Sequence, residues 1–448
     1  MPGPGRLARV QSAAMSMFSF EFGAIRRVFL HRNFAIYTVG STISLIGMWV
    51  QRLAVGWLVW QLTKSGTWLG ILAMSEFLPT IVITPLGGVI SDRWDRRRIS
   101  MTTQAVSAVQ ALVLWILAIS GLVNPPVVIA LVFVGAVAAS LNQASRVALV
   151  PMMVPREQMT TAIALTAVIF NLARFVGPAL AGFIIAGAGI GWAFFANALS
   201  YLPLLFVLTQ LQLPSPPKRR GPPKHFFHDL MEGVRYTFNH DAIRTLIILL
   251  ALASVLTRGV VDLLPGFVDA VYHRDAAGLA TFTSVMGIGA MIGGLMLAGR
   301  RHVFGLSTMV FATILINGTA VALFALLGAF EQPSFILAAL LLGIVGFCNV
   351  ASGTGSQTLV QTGVDEAMRG RVLSLWLVVN RGGPALGAMV FGWASEHFGF
   401  GWPTTLGGVA TVLASLWVLH RRRGLAQQLE LRDEPPKPAP APEPEESL

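Results

Sequence analysis

Four arginines lie inside stretches of the chain that are otherwise almost purely apolar: Arg52, Arg174, Arg258 and Arg381. A guanidinium group at membrane depth is costly, so such residues generally face a protein-lined cavity or pair with another group. Guanidinium groups hold carboxylates and similar pairs of oxygens through two parallel hydrogen bonds. These four positions therefore predict a central cavity that binds an anionic or amphipathic molecule.

Two acids are placed to pair with these arginines. With a rise of about 1.5 Å per residue, Glu76 lies at the same depth as Arg52 on the next, antiparallel helix, which predicts an ion pair. Asp262 follows Arg258 by four residues, so a regular helix would place both on one face. Because burial favours the neutral carboxyl, Glu76 is the predicted proton carrier and Asp262 the second candidate. A purely structural role, in which the pairs hold helices together, remains open.

Four polar amides within the apolar stretches complete the predicted cavity and could add hydrogen bonds to a substrate: Gln51, Asn142, Asn171 and Asn380. The sequence contains no catalytic triad, zinc pair or nucleotide-binding lysine loop. We therefore expect no enzyme activity, no metal site and no cofactor.

The chain repeats itself at a fixed interval. Arg52 and Arg258 are as far apart as the two GPAL tetrapeptides, which begin at Gly177 and Gly383. A membrane protein with a duplicated plan and charge at the centre of each half is typical of a transporter.

Composition places the chain in a membrane. Of its 448 residues, 54% are hydrophobic and 12% charged, whereas a soluble domain carries about 25% charged residues. The single cysteine, Cys348, excludes an internal disulfide framework and a cysteine zinc cluster. The net charge of +11 is spread over the ends of apolar runs, which argues against binding to nucleic acid.

The apolar runs predict the fold class: an all-α polytopic membrane protein with twelve transmembrane helices in two six-helix pseudo-symmetric halves. A spanning helix needs about 20 mostly apolar residues. The predicted spans are 34–62, 67–91, 99–121, 126–150, 159–188, 190–211, 241–268, 278–299, 303–328, 333–361, 370–395 and 401–420.

Lysine and arginine set the orientation, because the loops of one side hold nearly all of them and those of the other hold only Lys64 and Arg274. Both termini are therefore predicted to be cytoplasmic. The resulting domains are a cytoplasmic N-terminal segment (1–33), an N-terminal bundle (34–211), a cytoplasmic linker with an interfacial helix (212–240), a C-terminal bundle (241–420) and a disordered cytoplasmic tail (421–448). A solvated cytosolic helix is the alternative for the linker.

The loop after the second span reads GVISDRWDRRR from Gly88 to Arg98. This string resembles the signature of the major facilitator superfamily, with Asp95 where that family usually has glycine. The resemblance implies conformational roles for Gly88, Asp92, Arg93, Arg96 and Arg97, with Asp92 capping the next helix or pairing with a basic group. An anchor for anionic headgroups is the alternative.

The fifth span contains NLARFVGPALAG, which resembles the GP motif of antiporters and exporters of that superfamily. Proline kinks a helix and flanking glycines allow close packing, so Gly177, Pro178, Gly383 and Pro384 are predicted gating residues. Together with QRLAVGW, NQASRVALVPMMVPREQM and SQTLVQTGVDEAMRGRVLS, this string resembles the enterobactin-exporter-like branch, the transmembrane secretion effectors. Asn142 stands where the branch is expected to have an acid.

The resemblance implies a secondary active transporter that exports an amphipathic or anionic small molecule, siderophore-like or drug-like, by alternating access and proton coupling. Its expected partners are this substrate, protons and membrane lipids, and it is expected to be a monomer in a bacterial-type cytoplasmic (inner) membrane. The alternatives are a lysophospholipid or lipid transporter of the same fold and a non-transporting receptor or scaffold.

Overall fold

The computed structural model describes residues 22–93, 95–211, 226–300, 304–330, 332–420 and 422–430, and the side chains of these ranges except at 22, 84–93, 144, 148, 226–229, 422–423 and 426–427. Within these ranges the chain is helical and has no β-strand. The predicted all-α polytopic class is confirmed. Among the described residues, eleven helices are long and apolar enough to cross a membrane.

The first half of the chain folds into seven helices: α1 (Phe22–Phe29), α2 (Arg32–Thr63), α3 (Gly66–Arg93), α4 (Arg96–Ser120), α5 (Pro125–Leu149), α6 (Met159–Ala188) and α7 (Ile190–Gln210). Except for the short α1, each corresponds to one of the first six predicted spans. In this half α2 packs on α6 and α7, α3 on α5, and α4 on α5 and α7.

The second half continues with α8 (Phe226–Asn239), α9 (Asp241–Leu256), α10 (Ala276–Ala298), α11 (Leu306–Leu327), α12 (Phe335–Gly363), α13 (Glu366–Phe398), α14 (Gly401–His420) and α15 (Arg422–Glu430). The longest, α13, is the predicted span that the eleven leave out. It carries arginine, asparagine, proline and several glycines in its middle, which makes it less apolar than the others.

Two helix pairs make most of the contact between the halves: α3 with α13, and α6 with α10. Small residues let these backbones touch near the ends that the predicted orientation places outside; these are called the outer ends, and the opposite ends the inner ends. A Cβ atom added to Gly70 would lie 2.6 Å from the Met389 Cα, and one added to Gly182 would lie 2.3 Å from the Ala280 Cβ. The halves are thus packed tightly on the outer side of the molecule.

The predicted seventh span, 241–268, is not one regular helix. Helix α9 ends at Leu256 and is followed by a 3₁₀ turn (Arg258–Val261), one α-helical turn (Leu264–Gly266) and a π-helical turn (Phe267–Val271). Pro265 lacks an N–H group and in a regular helix would clash with the carbonyl four residues earlier, so a regular helix cannot run on through it. A Cβ atom on Gly259 would lie 2.5 Å from the Ala388 N, so the broken segment packs directly on α13.

The tail and the linker also contain packed helices. Residues 422–430, part of the segment expected to be disordered, form α15, and its Leu429 is buried in the core of the second half. Linker helix α8 packs on the inner end of α13 through a Glu232–Arg371 ion pair of 3.1 Å and a hydrogen bond of 2.8 Å from the Tyr236 hydroxyl to Asp365. The rest of the predicted tail, 431–448, lies outside the described residues.

Candidate functional site

Arg52 lies at the centre of the molecule and pairs with acids from both halves. Its Nη2 is 3.0 Å from Glu76 Oε2 on α3 and 3.4 Å from Asp262 Oδ1 in the broken segment after α9. The predicted Arg52–Glu76 pair is present, and the pair with Asp262 was not foreseen. The Arg52 side chain is 47% exposed, so this cluster is accessible to solvent and is not sealed in the core.

Arg258 does not pair with Asp262, contrary to the expectation from their spacing. The break after α9 turns the two side chains apart. Arg258 is 8% exposed and donates to the Asn380 Oδ1 and, at 2.8 Å, to the Ser352 Oγ. Among the described residues it makes no ion pair with a carboxylate. A nearly buried cation held by two neutral acceptors leaves a positive charge in the wall of the second half.

Arg174 and Arg381 likewise make no ion pair among the described residues. The Arg174 guanidinium lies 5.6 Å from the ring centroid of Trp49, and that of Arg52 lies at the same distance from the same ring. Arg174 is also close enough to Arg381 for their charges to repel each other. The centre of the molecule therefore holds more guanidinium groups than carboxylates, as the anionic-substrate hypothesis requires.

The four predicted amides fall into two groups. Asn380 binds Arg258, and Asn171 donates to the Ala167 carbonyl on its own helix. Gln51 instead donates a hydrogen bond to Gln110 and accepts one from Asn197. Asn142 accepts a hydrogen bond from the Ser100 hydroxyl at 2.9 Å. These last two side chains are engaged in hydrogen bonds inside the N-terminal half, so their predicted contact with a substrate has no support from the geometry.

The predicted inner latch is only partly described. Gly88, Asp92 and Arg93 lie in the last turns of α3, where the side chains are outside the described residues. Asp95 caps α4 by accepting from the Arg97 N–H at 2.8 Å, which is the role considered for Asp92. Arg97 donates to the Leu211 and Thr209 carbonyls at the end of α7, and Arg96 contacts the Met152 sulfur at 3.7 Å.

The two GP pairs pack in corresponding ways in the two halves. Pro178 lies inside α6 and Pro384 inside α13. A Cβ atom on Gly177 would lie 2.4 Å from the Trp49 Cβ on α2, and one on Gly383 would lie 2.4 Å from the Ser254 Cβ on α9. Each glycine therefore brings its helix against the first long helix of its own half, α2 or α9. Their gating role stays a prediction.

A second cross-half cluster, at the outer end of the molecule, was missed by sequence reasoning. Asp269 accepts from Lys64 Nζ at 2.7 Å and from the Trp60 indole N–H at 2.8 Å. Glu396 accepts from the Ser65 hydroxyl and, at 3.2 Å, from the Thr67 N–H. We call these two carboxylates and their donors the outer clasp. One sequence signal could have found Lys64: it is one of only two basic residues in the predicted outer loops.

Both clasp carboxylates lie beyond the predicted spans, and both are held in the charged form. Burial alone would raise the pKa of Asp269, but the hydrogen bonds from Lys64 and Trp60 outweigh it and leave the pKa below its ordinary value. The hydrogen bond from Ser65, helped by those from Thr67 and opposed by burial, holds the pKa of Glu396 below its ordinary value. The clasp therefore persists at neutral pH.

The described residues contain no group of three or more His, Cys, Asp or Glu side chains that could hold a metal ion. Cys348 is a buried free thiol. The site consists of guanidinium groups, carboxylates, amides and aromatic rings.

This chain has counterparts among known proteins. The family model described as transmembrane secretion effector matches residues 28–447. The enterobactin exporter EntS of Shigella boydii serotype 18 is 27% identical over 373 residues, which cover 82% of this chain and 84% of the exporter.

Solved structures share the fold at lower sequence identity. The nucleoside transporter NupG superposes with a TM-score of 0.66 at 16% identity, covering 87% of this chain and 99% of the transporter. A bacterial homolog of the human lysosomal transporter Spinster, in an inward-facing and unoccupied conformation, gives a TM-score of 0.66 at 14% identity, covering 90% of this chain and 98% of that one.

Proposed function

The chain belongs to the transmembrane secretion effector family of the major facilitator superfamily, and we propose that it is a proton-coupled exporter of anionic or amphipathic small molecules. Membership makes it a multi-pass membrane transporter and not an enzyme. The substrate we propose is siderophore-like or drug-like, since the relative is named as an exporter of enterobactin. We place the protein in a bacterial-type cytoplasmic membrane with both termini inside, acting as a monomer.

One observation carries the proposal: Arg52 joins an acid of its own half to an acid of the other half. If the halves rock about the centre, the Arg52–Asp262 contact must break when the outer side opens, while the Arg52–Glu76 contact can persist. A conformational change driven by a ligand needs such a contact, made in one state and lost in the other. Proton binding at this cluster could therefore be coupled to the rocking motion of the two halves.

The proposed cycle uses the arginines in two ways. In the outer-closed state the surplus guanidinium groups attract the anionic substrate from the cytoplasmic side. They hold it through hydrogen bonds between charged groups, which are stronger than those between neutral groups. After the outer side opens and substrate leaves, Asp262 is separated from Arg52 and takes a proton from outside. When the halves rock back, pairing with Arg52 again favours the ionised carboxylate, so the proton is released inside.

Purified protein in liposomes tests this scheme, with enterobactin as the first substrate. Glu76→Gln and Asp262→Asn are compared for pH-driven net efflux and for exchange at equal substrate concentrations, which needs rocking but no net proton movement. The variant that loses efflux and keeps exchange identifies the proton carrier. Asp241→Asn, an exposed acid that pairs with Arg244, is the matched control. Retained pH-driven efflux in both cluster variants would reject coupling at this site.

A lysophospholipid or lipid carrier of the same fold is the second candidate, because a phosphate headgroup suits guanidinium groups as well as a carboxylate does. Counterflow of a radiolabelled lysophospholipid in the same liposomes distinguishes the two. Absence of counterflow for every candidate molecule would favour a receptor or scaffold.

A further inference from the structure

A line of alternating arginines and aromatic rings leads from the inner end of the N-terminal half to its centre. The Arg146 guanidinium lies 5.8 Å from the Phe170 ring centroid. Phe170 meets Trp49 edge to face, with centroids 6.0 Å apart. Trp49 in turn lies 5.6 Å from the guanidinium groups of Arg52 and Arg174. We call these five residues the arginine–aromatic track.

The track runs inward from the cytoplasmic side. Arg146 is in the last turn of α5, which ends on the inner side at Leu149. Phe170 and Arg174 are one turn apart on α6, which begins on the inner side at Met159. With a rise of about 1.5 Å per residue, Phe170 lies about 17 Å and Arg174 about 23 Å from that inner end. The residues thus occupy successive depths.

Arg146 is not placed as a simple headgroup anchor. Its guanidinium faces a ring on α6, its side-chain hydrogen bond goes to Gln143 on its own helix, and it is close enough to Arg381 of the other half for the two charges to repel. Arg146 thus lies near a charge of the opposite half and makes no ion pair with a carboxylate among the described residues, so an anion between the halves could bind it.

The rings explain how Arg146 and Arg174 stay oriented although neither makes an ion pair among the described residues. A guanidinium over a ring face is attracted by the ring's negative quadrupole. Its N–H groups then remain free for a ligand, and its flat face can also stack on a planar molecule. The Trp49 indole N–H is buried and has no acceptor among the described residues, so the ring faces and not this polar group hold it in place.

Building on the proposed export of anions, we propose that Arg146 and Phe170 form a loading subsite between the inner end and the centre of the N-terminal half, which passes the substrate along Trp49 to Arg174. The subsite takes flat, aromatic anions in preference to puckered aliphatic anions of the same charge. Phe170 determines this preference, and Arg146 determines how fast the anion is captured.

The test uses two probes of equal charge and similar size, 2-naphthoate and decahydro-2-naphthoate. Calorimetric titration of the purified full-length protein should show tighter binding of the aromatic probe by about 3-fold to 30-fold, the scale of cation–π and stacking contacts. Phe170→Leu should bring the ratio close to one, Phe170→Tyr should preserve it, and the lipid-facing control Phe206→Leu should leave it unchanged.

Arg146 is tested by kinetics. In stopped-flow mixing at low salt, Arg146→Gln should slow association of 2-naphthoate roughly 3-fold to 10-fold, a part of the gain that electrostatic steering gives. Arg156→Gln removes an equal charge from an exposed inner turn and should have a much smaller effect.

Each result has a distinct meaning. Equal binding of the two probes, or a preference that survives in Phe170→Leu, overturns the loading subsite and leaves the proposed exporter standing. If Arg146→Gln and Arg156→Gln slow the association of 2-naphthoate equally, Arg146 contributes only through the overall charge of the protein. This result would also overturn the loading subsite. If neither probe binds, the anion-binding cavity itself is wrong, and the proposed function fails with the track.

Discussion

At the scale of single residues, the centre of the molecule is defined by which arginines have acids and which do not. Arg52 has two, Glu76 and Asp262, whereas Arg174 and Arg381 have none among the described residues. Leaving a charge unpaired in a low-dielectric wall is costly. Such a cost is tolerated where a ligand completes the site, so the unpaired arginines are the ones that we expect to bind substrate.

Replacing Arg174 or Arg381 by glutamine should therefore weaken the binding of an anionic substrate. We expect a loss of about 1.5–3 kcal/mol for each, the scale of a hydrogen bond to a charged group. Lysine should restore only part of the affinity, because an ammonium group cannot reproduce the planar fork. Calorimetric titration of both variants measures the effect. Unchanged affinity in both glutamine variants would show that these arginines are structural.

Sequence reasoning found some of these residues for physical reasons that also explain its failures. The Arg52–Glu76 pair follows from the rise of two adjacent regular helices, so it could be predicted. The Arg52–Asp262 pair depends on how the two halves pack against each other, and the periodicity of the sequence carries no information about that packing. The expected Arg258–Asp262 pair assumed a continuous helix, although Gly259, Pro265 and Gly266 were visible signals of a break.

At the scale of elements, the helix boundaries were predictable and the exceptions are informative. Long apolar runs bounded by charges and glycines set most spans within a few residues. Helix α15 was missed because residues after 420 are polar and lead into a proline-rich segment. Its order comes from tertiary contact: Glu430 accepts hydrogen bonds from the Gly305 N–H at 2.6 Å and the Ser307 N–H at 2.8 Å, at the start of α11.

This contact predicts a stabilising role for the first part of the tail. A carboxylate at a helix N-terminus satisfies unpaired N–H groups and the helix dipole. Glu430→Gln should lower the free energy of unfolding by about 1–3 kcal/mol, and truncation after residue 421 should lower it further. Thermal unfolding in detergent measures both. Glu157→Gln, an exposed inner acid, is the control, and truncation after residue 431 should have little effect.

At the scale of the whole molecule, the sign of the charges facing each other changes with depth. At the outer end, opposite charges meet across the halves, as in Lys64–Asp269 at 2.7 Å. At the centre Arg52 attracts Asp262 and repels Arg381, and towards the inner side Arg381 repels Arg146. Both arrangements favour a molecule closed outside and open inside, and an anion in the cavity reduces the repulsion.

Weakening the outer clasp should shift this balance. The double variant Lys64→Gln, Asp269→Asn removes an attraction made only in the outer-closed state, so the outward-open population should rise. Spin labels on cysteines at Leu122 and Gln332, introduced after replacement of Cys348, report the distance between the outer loops of the two halves. Arg274→Gln, the other basic residue of the outer loops, is the control. An unchanged distance distribution in the double variant would remove the clasp from gating.

The clasp also predicts a pH dependence. Because both pKa values are lowered, the contacts are fully present above the ordinary values of 3.8 for Asp269 and 4.5 for Glu396, and are lost as pH falls through the lowered values. The label distance should therefore stay constant from neutral pH down to about pH 5 and lengthen only in stronger acid. Asp269→Asn with Glu396→Gln should remove this acid response; opening that begins near neutral pH would assign it to other groups.

The surplus of guanidinium groups at the centre also decides how such a carrier responds to membrane voltage. Moving one elementary charge through 100 mV changes its energy by about 2.3 kcal/mol. An anion that leaves a cytoplasm of negative potential moves down that field, and a proton that enters moves down it as well. Each negative charge that the arginines accept therefore adds to the driving force, and export of a polyanion would continue on voltage alone after the pH gradient has collapsed.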